Sequence, residues 1–102
     1  MILDIQQKES LKQDLISCLK DDNEIRKIVI FGSFISDMEP EDMDVAIFQD
    51  SNQSYLPLAL KYRKQTRPVS RRIPLDIIPI RNTASSDVFL KEIGQGETIY
   101  ER

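Results

Sequence analysis

The chain has 102 residues, 40% hydrophobic and 30% charged, a composition typical of one small globular domain. It has no histidine and one cysteine, Cys18, which excludes histidine-based acid–base catalysis, zinc sites and an intramolecular disulfide. The net charge of −3 provides no overall attraction to nucleic acid, and no apolar run is long enough for a membrane span. With no leader-like amino terminus, we expect a single cytoplasmic domain over residues 1–102.

Hydrophobic periodicity and turn signals predict the element order α-β-β-α-β-α. The first helix is predicted from Asp4 to about Lys20, with Asp4 and Gln7 as a capping pair. Prolines in the third strand, Pro74 and Pro79, indicate an edge position or irregular strand ends. The pattern favours an α/β (α+β) fold, a small mixed sheet with flanking helices. The other predicted elements are strands at 27–31, 42–48 and 73–80, a helix at 55–65, a basic loop at 67–72, a helix from Ser85 or Ser86 to Ile93, and an extended tail at 99–100.

The first predicted strand ends directly in a Gly-Ser pair, Gly32-Ser33. Glycine lets the backbone approach a ligand closely, and a serine hydroxyl with successive backbone N–H groups forms an anion site. By itself the pair is equally typical of an ordinary strand-ending turn. Its position upstream of an Asp-x-Asp motif, at loop distance, favours a turn that holds the β- and γ-phosphates of a nucleotide.

Two aspartates, Asp42 and Asp44, open the second predicted strand. Side chains at i and i+2 point to the same face of a strand, so both carboxylates can lean toward one ion while Met43 and Val45 face the core. Adjacent carboxylates repel each other unless a cation or a proton compensates them. Oxygen ligands without histidine or thiolate suit Mg²⁺ or Mn²⁺. Alone, Asp-x-Asp is also typical of a solvated strand end.

A third aspartate, Asp76, interrupts the apolar third strand, where we expect it to be partly buried and to need compensation. If the third strand lies beside the second, Asp76 reaches the same ions as Asp42 and Asp44. Three carboxylates can hold two metal ions, one for the triphosphate and one for the attacking hydroxyl, with Asp76 as the base. The alternative is a structural ion pair of Asp76 with an arginine such as Arg72 or Arg81.

This combination of motifs resembles the nucleotidyltransferase superfamily that includes DNA polymerase beta. The resemblance covers nearly the whole chain, including residues 89–102, and the size and order look like the minimal, stand-alone nucleotidyltransferase domains. It implies that Gly32 and Ser33 hold phosphate, that Asp42 and Asp44 bind two Mg²⁺ ions, and that Asp76 completes the second metal site.

The chain departs from the family pattern after Ser33. Many members carry a basic residue and then a glycine there, whereas this chain continues Phe34-Ile35-Ser36-Asp37. The loop to the Asp-x-Asp motif is about one residue shorter than is common, and Glu41 stands where serine is common.

The resemblance implies a metal-dependent transfer of a nucleoside monophosphate, AMP from ATP, to an acceptor hydroxyl, with release of pyrophosphate. Minimal members often pair with a HEPN-domain toxin, and some act as antitoxins that add AMP to a toxin tyrosine. We expect the acceptor to be a protein, a small molecule or an RNA end that a partner presents, and the resemblance implies a HEPN-domain protein as one such partner. Nucleic acid is expected only where a partner presents it, and no membrane is expected.

Two other hypotheses stay open at the level of sequence. One is a catalytically weak domain of the same fold that acts by protein–protein binding, and the other is an unrelated α/β domain with structural aspartates. A basic stretch also has two interpretations, a solvated helix end or a positive patch for triphosphate or an acidic partner. It comprises Lys61, Arg63, Lys64, Arg67, Arg71 and Arg72.

Overall fold

The structure, a computed structural model, describes residues 2–81 and 93–102. Its described part forms a four-stranded sheet with helices packed against it. The elements are α1 (Ile5–Leu19), β1 (Ile25–Phe31), α2 (Ser33–Ser36), β2 (Met43–Gln49), α3 (Tyr55–Gln65), α4 (Arg67–Ser70), β3 (Leu75–Arg81) and β4 (Glu97–Glu101).

The sheet is mixed and has the strand order β3-β2-β1-β4. β1 pairs antiparallel with both β2 and β4, whereas β2 and β3 are parallel. The parallel pair needs a crossover connection, which α3 and α4 provide. This architecture confirms the predicted mixed sheet with flanking helices, and it places β3 directly beside β2.

The local sequence explains why α1 forms where it does. Asp4 accepts a hydrogen bond from the Gln7 backbone N–H at 2.7 Å, and the Gln7 side chain accepts one from the Asp4 N–H at 2.9 Å. This capping box satisfies two amide donors that a helix start leaves unpaired. Leu11, Leu15 and Leu19 then recur every four residues and are at most 1% exposed, so they form the face that packs on the sheet.

The two faces of the sheet carry separate apolar clusters. The larger cluster joins the helices to alternate strand residues, including Met43 and Val45, both of which are fully buried as predicted. The smaller cluster lies on the opposite face and comprises Val29, Phe31, Ala46 and Ile93, with Phe48, Ile78 and Ile80 against it. Since strand side chains alternate, Asp44 and Asp76 belong to the face of the smaller cluster.

Most of the predicted elements are confirmed, with two corrections. The helix at 55–65 has the predicted bounds, and β3 is an edge strand as its prolines indicated. The segment predicted as a basic loop contains α4, with Pro68 in its first turn, where a missing N–H costs no hydrogen bond. The predicted extended tail is a longer strand, β4, because it pairs with β1. The predicted helix ending at Ile93 lies outside the described residues up to position 92.

Within residues 2–81 and 93–102, no helix combines the length and the apolar content that a bilayer crossing requires.

Candidate active site

The Gly-Ser turn after β1 depends on glycine for two reasons. Gly32 has φ 75° and ψ −150°, a backbone conformation that residues with a Cβ rarely adopt. A Cβ built at this position would also overlap the Asp44 carboxylate oxygen Oδ2. The turn therefore lies directly against Asp44. After it, Asp37 N–H donates to Ser33 O at 2.8 Å, which closes the single helical turn α2.

Strand register brings two of the three predicted aspartates together. Asp44 is the register partner of Phe31 on β1 and of Asp76 on β3. Adjacent strands lie about 4.8 Å apart, so Asp44 and Asp76 are nearest neighbours across the parallel pair. The Met43 N–H donates to Pro74 O at 2.9 Å, and this bond fixes the start of β2 against the segment that leads into β3.

Asp42 lies just before β2, although the sequence predicted it as the first residue of that strand. It is half-buried, as is Asp44, and its negative charge acts on Asp44. Burial raises the pKa of Asp44 above the ordinary aspartate value, and repulsion from Asp42 and then from Asp76 raises this pKa further. A nearby cation would therefore offset the repulsion that the ionised Asp44 carboxylate meets.

The three aspartates are neighbours but do not form a closed ligand set. In the described ranges 2–81 and 93–102, no three His, Cys, Asp or Glu side chains converge closely enough to hold a metal ion. The donor chemistry nevertheless suits a hard cation, because carboxylate oxygens are the ligands that Mg²⁺ and Mn²⁺ prefer. The raised pKa of Asp44 agrees with a cation site, because it shows that negative charge is disfavoured there without a compensating cation.

The predicted burial of Asp76 is wrong, because its side chain is exposed. It lies second in an edge strand, where the apolar sequence around it does not enclose it. The alternative of a structural ion pair with Arg72 is not found either, since Arg72 Nη1 contacts Asp14 Oδ2 at 2.5 Å. Among the described residues no ion pair joins Asp76 to Arg81.

A cavity of about 450 Å³ opens beside the Gly-Ser turn. Its walls come from the end of β1, from α2 and from the turn before β4, and they comprise Phe31, Gly32, Ile35, Ser36 and Gln95. The cavity therefore adjoins the same glycine that lies against Asp44, although none of the three aspartates lines it.

One residue of this region was not predicted from the sequence. Lys8, on α1, donates from Nζ to Phe34 O at 2.7 Å and to Asp37 O at 2.5 Å. Its ammonium group also lies 5.4 Å from the centre of the Phe34 ring. The local sequence around Lys8 gives no sign of these contacts, because they join residues at least 26 positions apart.

The basic stretch divides into paired and exposed side chains. Lys61 contacts Asp22 Oδ2 at 2.9 Å, and Arg72 contacts Asp14, so these two cations stabilise links between helices and loops. The remaining side chains, Arg63, Lys64, Arg67 and Arg71, are exposed. Lys61 and Tyr62 belong to α3, which packs on the sheet face opposite Asp44.

Taken together, a Gly-Ser turn after β1 and carboxylates at the start of β2 and β3 define a nucleotidyltransferase-type domain. The chain belongs to the polymerase beta nucleotidyltransferase family, whose model, described as "Polymerase beta, Nucleotidyltransferase", matches residues 13–102. The resemblance found in the sequence is thereby confirmed. No curated protein sequence matches the chain.

Solved structures share this fold at low sequence identity. One is the complex of a tri-AMPylated Shewanella oneidensis HEPN toxin with an MNT antitoxin, with TM-score 0.63 and 18% identity over 93% of this chain and 73% of that one. A second is the MntA-HepT toxin–antitoxin, with TM-score 0.66 and 14% identity over 92% and 73%. A third is a toxin–antitoxin with AMP-PNP, with TM-score 0.68 and 16% identity over 89% and 73%.

Proposed function

We propose that this domain transfers a nucleoside monophosphate, AMP from Mg–ATP, to a hydroxyl group of an acceptor protein. The observation that carries the proposal is the position of Asp44, which lies against the Gly32 backbone and beside Asp76 across the β2–β3 pair. Membership of the nucleotidyltransferase family supports the class of reaction. The fold that the chain shares with an MNT antitoxin supports a HEPN-type protein as the acceptor.

In this proposal Asp42, Asp44 and Asp76 hold two Mg²⁺ ions, with Gly32 and Ser33 at the phosphates. When bound, the ions would neutralise phosphate charge and lower the pKa of the attacking hydroxyl. The acceptor oxygen forms a bond to the α-phosphorus, the bond from this phosphorus to pyrophosphate breaks, and the hydroxyl proton passes to a carboxylate. Asp76 suits that last role, because its exposed side chain is open to an incoming acceptor.

The cavity beside Gly32 supports the placement of the nucleotide. It adjoins the turn on the side of α2 and Gln95, and its volume of about 450 Å³ is within the range of small-molecule sites. A nucleotide with its phosphates at Gly32-Ser33 would place the remainder of the molecule in or near this space.

The proposal is tested by calorimetric titration of Mg–ATP into the wild-type protein and into the Asp42→Asn/Asp44→Asn double variant. We expect binding that depends on Mg²⁺ in the wild type and is lost in the variant. An Asp21→Asn/Glu101→Gln variant is the matched control, because it removes two exposed carboxylates away from the site. Equal binding by all three proteins, or none by folded wild type, would contradict the proposal and favour a domain that acts by protein–protein binding.

A further inference from the structure

The segment between the Gly-Ser turn and β2 has a one-sided charge. From Ser33 to Asp44 the chain contains Asp37, Glu39, Glu41, Asp42 and Asp44, and it contains no lysine or arginine. Under the proposed function this segment borders the site of a triphosphate, which carries several negative charges. Like charges repel, so beyond the Mg²⁺ ions proposed at Asp42 and Asp44, a cation from elsewhere in the fold would favour binding of such a ligand.

Lys8 supplies a cation to this segment from another element of the fold. Its ammonium group spans the last part of α2, with Phe34 O at 2.7 Å and Asp37 O at 2.5 Å. Two of its three N–H donors are used on backbone carbonyls, and the stem carries the charge over the face of the buried Phe34 ring. A charged donor makes stronger hydrogen bonds than a neutral one, so these contacts hold the backbone firmly.

The first part of the segment, residues 33–38, is therefore fixed on both sides. At the first end Gly32 lies beneath the Asp44 carboxylate without room for a Cβ. At the other end Lys8 holds Phe34 and Asp37, and the Leu3 N–H donates to Met38 O at 2.8 Å beside it. Ser33 lies between these two fixed points, so its position depends on both.

We propose that Lys8 is a positioning residue for nucleotide binding. Its side chain holds the 33–37 backbone in the conformation that receives the phosphates, and it adds the positive charge that this segment lacks. This inference rests on the proposed function. Lys8 acts through the backbone of α2 and not on the reacting atoms, so its loss weakens nucleotide affinity and leaves the carboxylates unchanged.

The test uses the full chain and magnesium with AMP-PNP, a non-hydrolysable nucleotide, as the probe. Lys8→Met keeps most of the apolar stem and removes the charge and both hydrogen bonds. We expect about tenfold weaker binding in calorimetry, the scale of a lost hydrogen bond to a charged group. Lys8→Arg keeps the positive charge and several N–H donors, so we expect it to recover more of the affinity than Lys8→Met does. Lys20→Met, an exposed lysine directly after the same helix, is the control and should bind like wild type.

Hydrogen exchange separates a local role from a general loss of stability. Without nucleotide, Lys8→Met should accelerate amide exchange at residues 33–38 and leave exchange in β1 and β2 unchanged. Affinity within twofold of wild type, or unchanged exchange at 33–38, would overturn the inference about Lys8 alone. Absence of AMP-PNP binding by folded wild type would instead overturn the proposed function and this inference with it.

Discussion

The two faces of the sheet differ in what their residues contribute. On the face that packs against α1 and α3, side chains such as Leu15, Ile47 and Tyr62 are fully buried and apolar contact is continuous. On the opposite face the smaller apolar cluster ends at Asp44 and Asp76, which lie side by side near the start of β2 and β3. Burial raises the pKa of Asp44, so ionisation of this group opposes folding. One face therefore stabilises the fold through apolar burial, whereas the other keeps Asp44 and Asp76 together at some loss of folding free energy.

The largest expected effect on the carboxylate face comes from Gly32→Ala. The substitution puts a side chain where φ is 75° and where a Cβ overlaps Asp44 Oδ2. We expect a loss of about 1–3 kcal/mol in the free energy of unfolding from backbone strain, together with loss of Mg–ATP binding as Asp44 is displaced. Urea unfolding and calorimetry measure the two effects. Gly94→Ala is the control, since a Cβ there meets none of the described residues within 4 Å.

The second prediction concerns Asp44→Asn, which should stabilise the fold rather than destabilise it. Removing a partly buried charge that Asp42 and Asp76 repel should raise the free energy of unfolding at pH 7 without Mg²⁺ by up to about 1 kcal/mol, the scale of partly exposed charge contacts. The folded state holds the Asp44 proton more tightly than the unfolded chain does. The ionised Asp44 therefore destabilises the folded state fully at pH values above its pKa in the folded protein. This destabilisation disappears below its pKa in the unfolded chain, about 3.9.

Thermal unfolding of both proteins across pH, with and without Mg²⁺, measures this difference. The gap between Asp44→Asn and wild type should close as the pH falls through the pKa of Asp44. Mg²⁺ should stabilise wild type more than the variant. A variant that is less stable than wild type at neutral pH would show that Asp44 is a structural residue, and the contrast between the two faces would not hold.

The smallest effect is expected from Tyr62→Phe, on the helix-packed face. Tyr62 is fully buried, and its hydroxyl has no hydrogen-bond partner within the described part of the chain. Burial raises the pKa of this phenol, and the negative charges of Asp22 and Glu24 raise it further. The hydroxyl therefore stays protonated at a pH at which free tyrosine ionises. Removing the hydroxyl should change the free energy of unfolding by less than about 1 kcal/mol.

Urea unfolding measures that change, with Tyr62→Ala as the comparison. The alanine variant leaves a large cavity and should lose about 3–5 kcal/mol. If Tyr62→Phe loses as much as the alanine variant, the hydroxyl is an essential polar group, and this face is not the simple apolar core described above.

The sequence predicts elements better than it predicts contacts between them. The helix at 55–65 follows from its periodicity and from Pro57 in the first turn, and the edge position of β3 follows from Pro74 and Pro79. These features are local, so a single sequence contains the information. The short helix α4 was missed because its four residues are too few for a periodic pattern.

The site shows the same distinction. Gly32, Asp42, Asp44 and Asp76 are recognisable from the motif, and the register of β2 with β3 places the last two side by side. The exposure of Asp76 depends on strand order, which the local apolar run does not reveal. The hydrogen bonds from Lys8 depend on how α1 packs, and no spacing rule predicts them.

The proline-bearing edge strand has a consequence for how copies of the protein meet in concentrated solution. Prolines in sheets occur where the missing N–H faces away from the neighbouring strand, so Pro79 leaves a gap in the row of donors along the outer side of β3. The other edge strand, β4, carries Glu97 and Glu101 at its ends. Such features discourage strand addition between sheets. This small sheet is therefore protected against edge-to-edge aggregation by the same strand that carries Asp76.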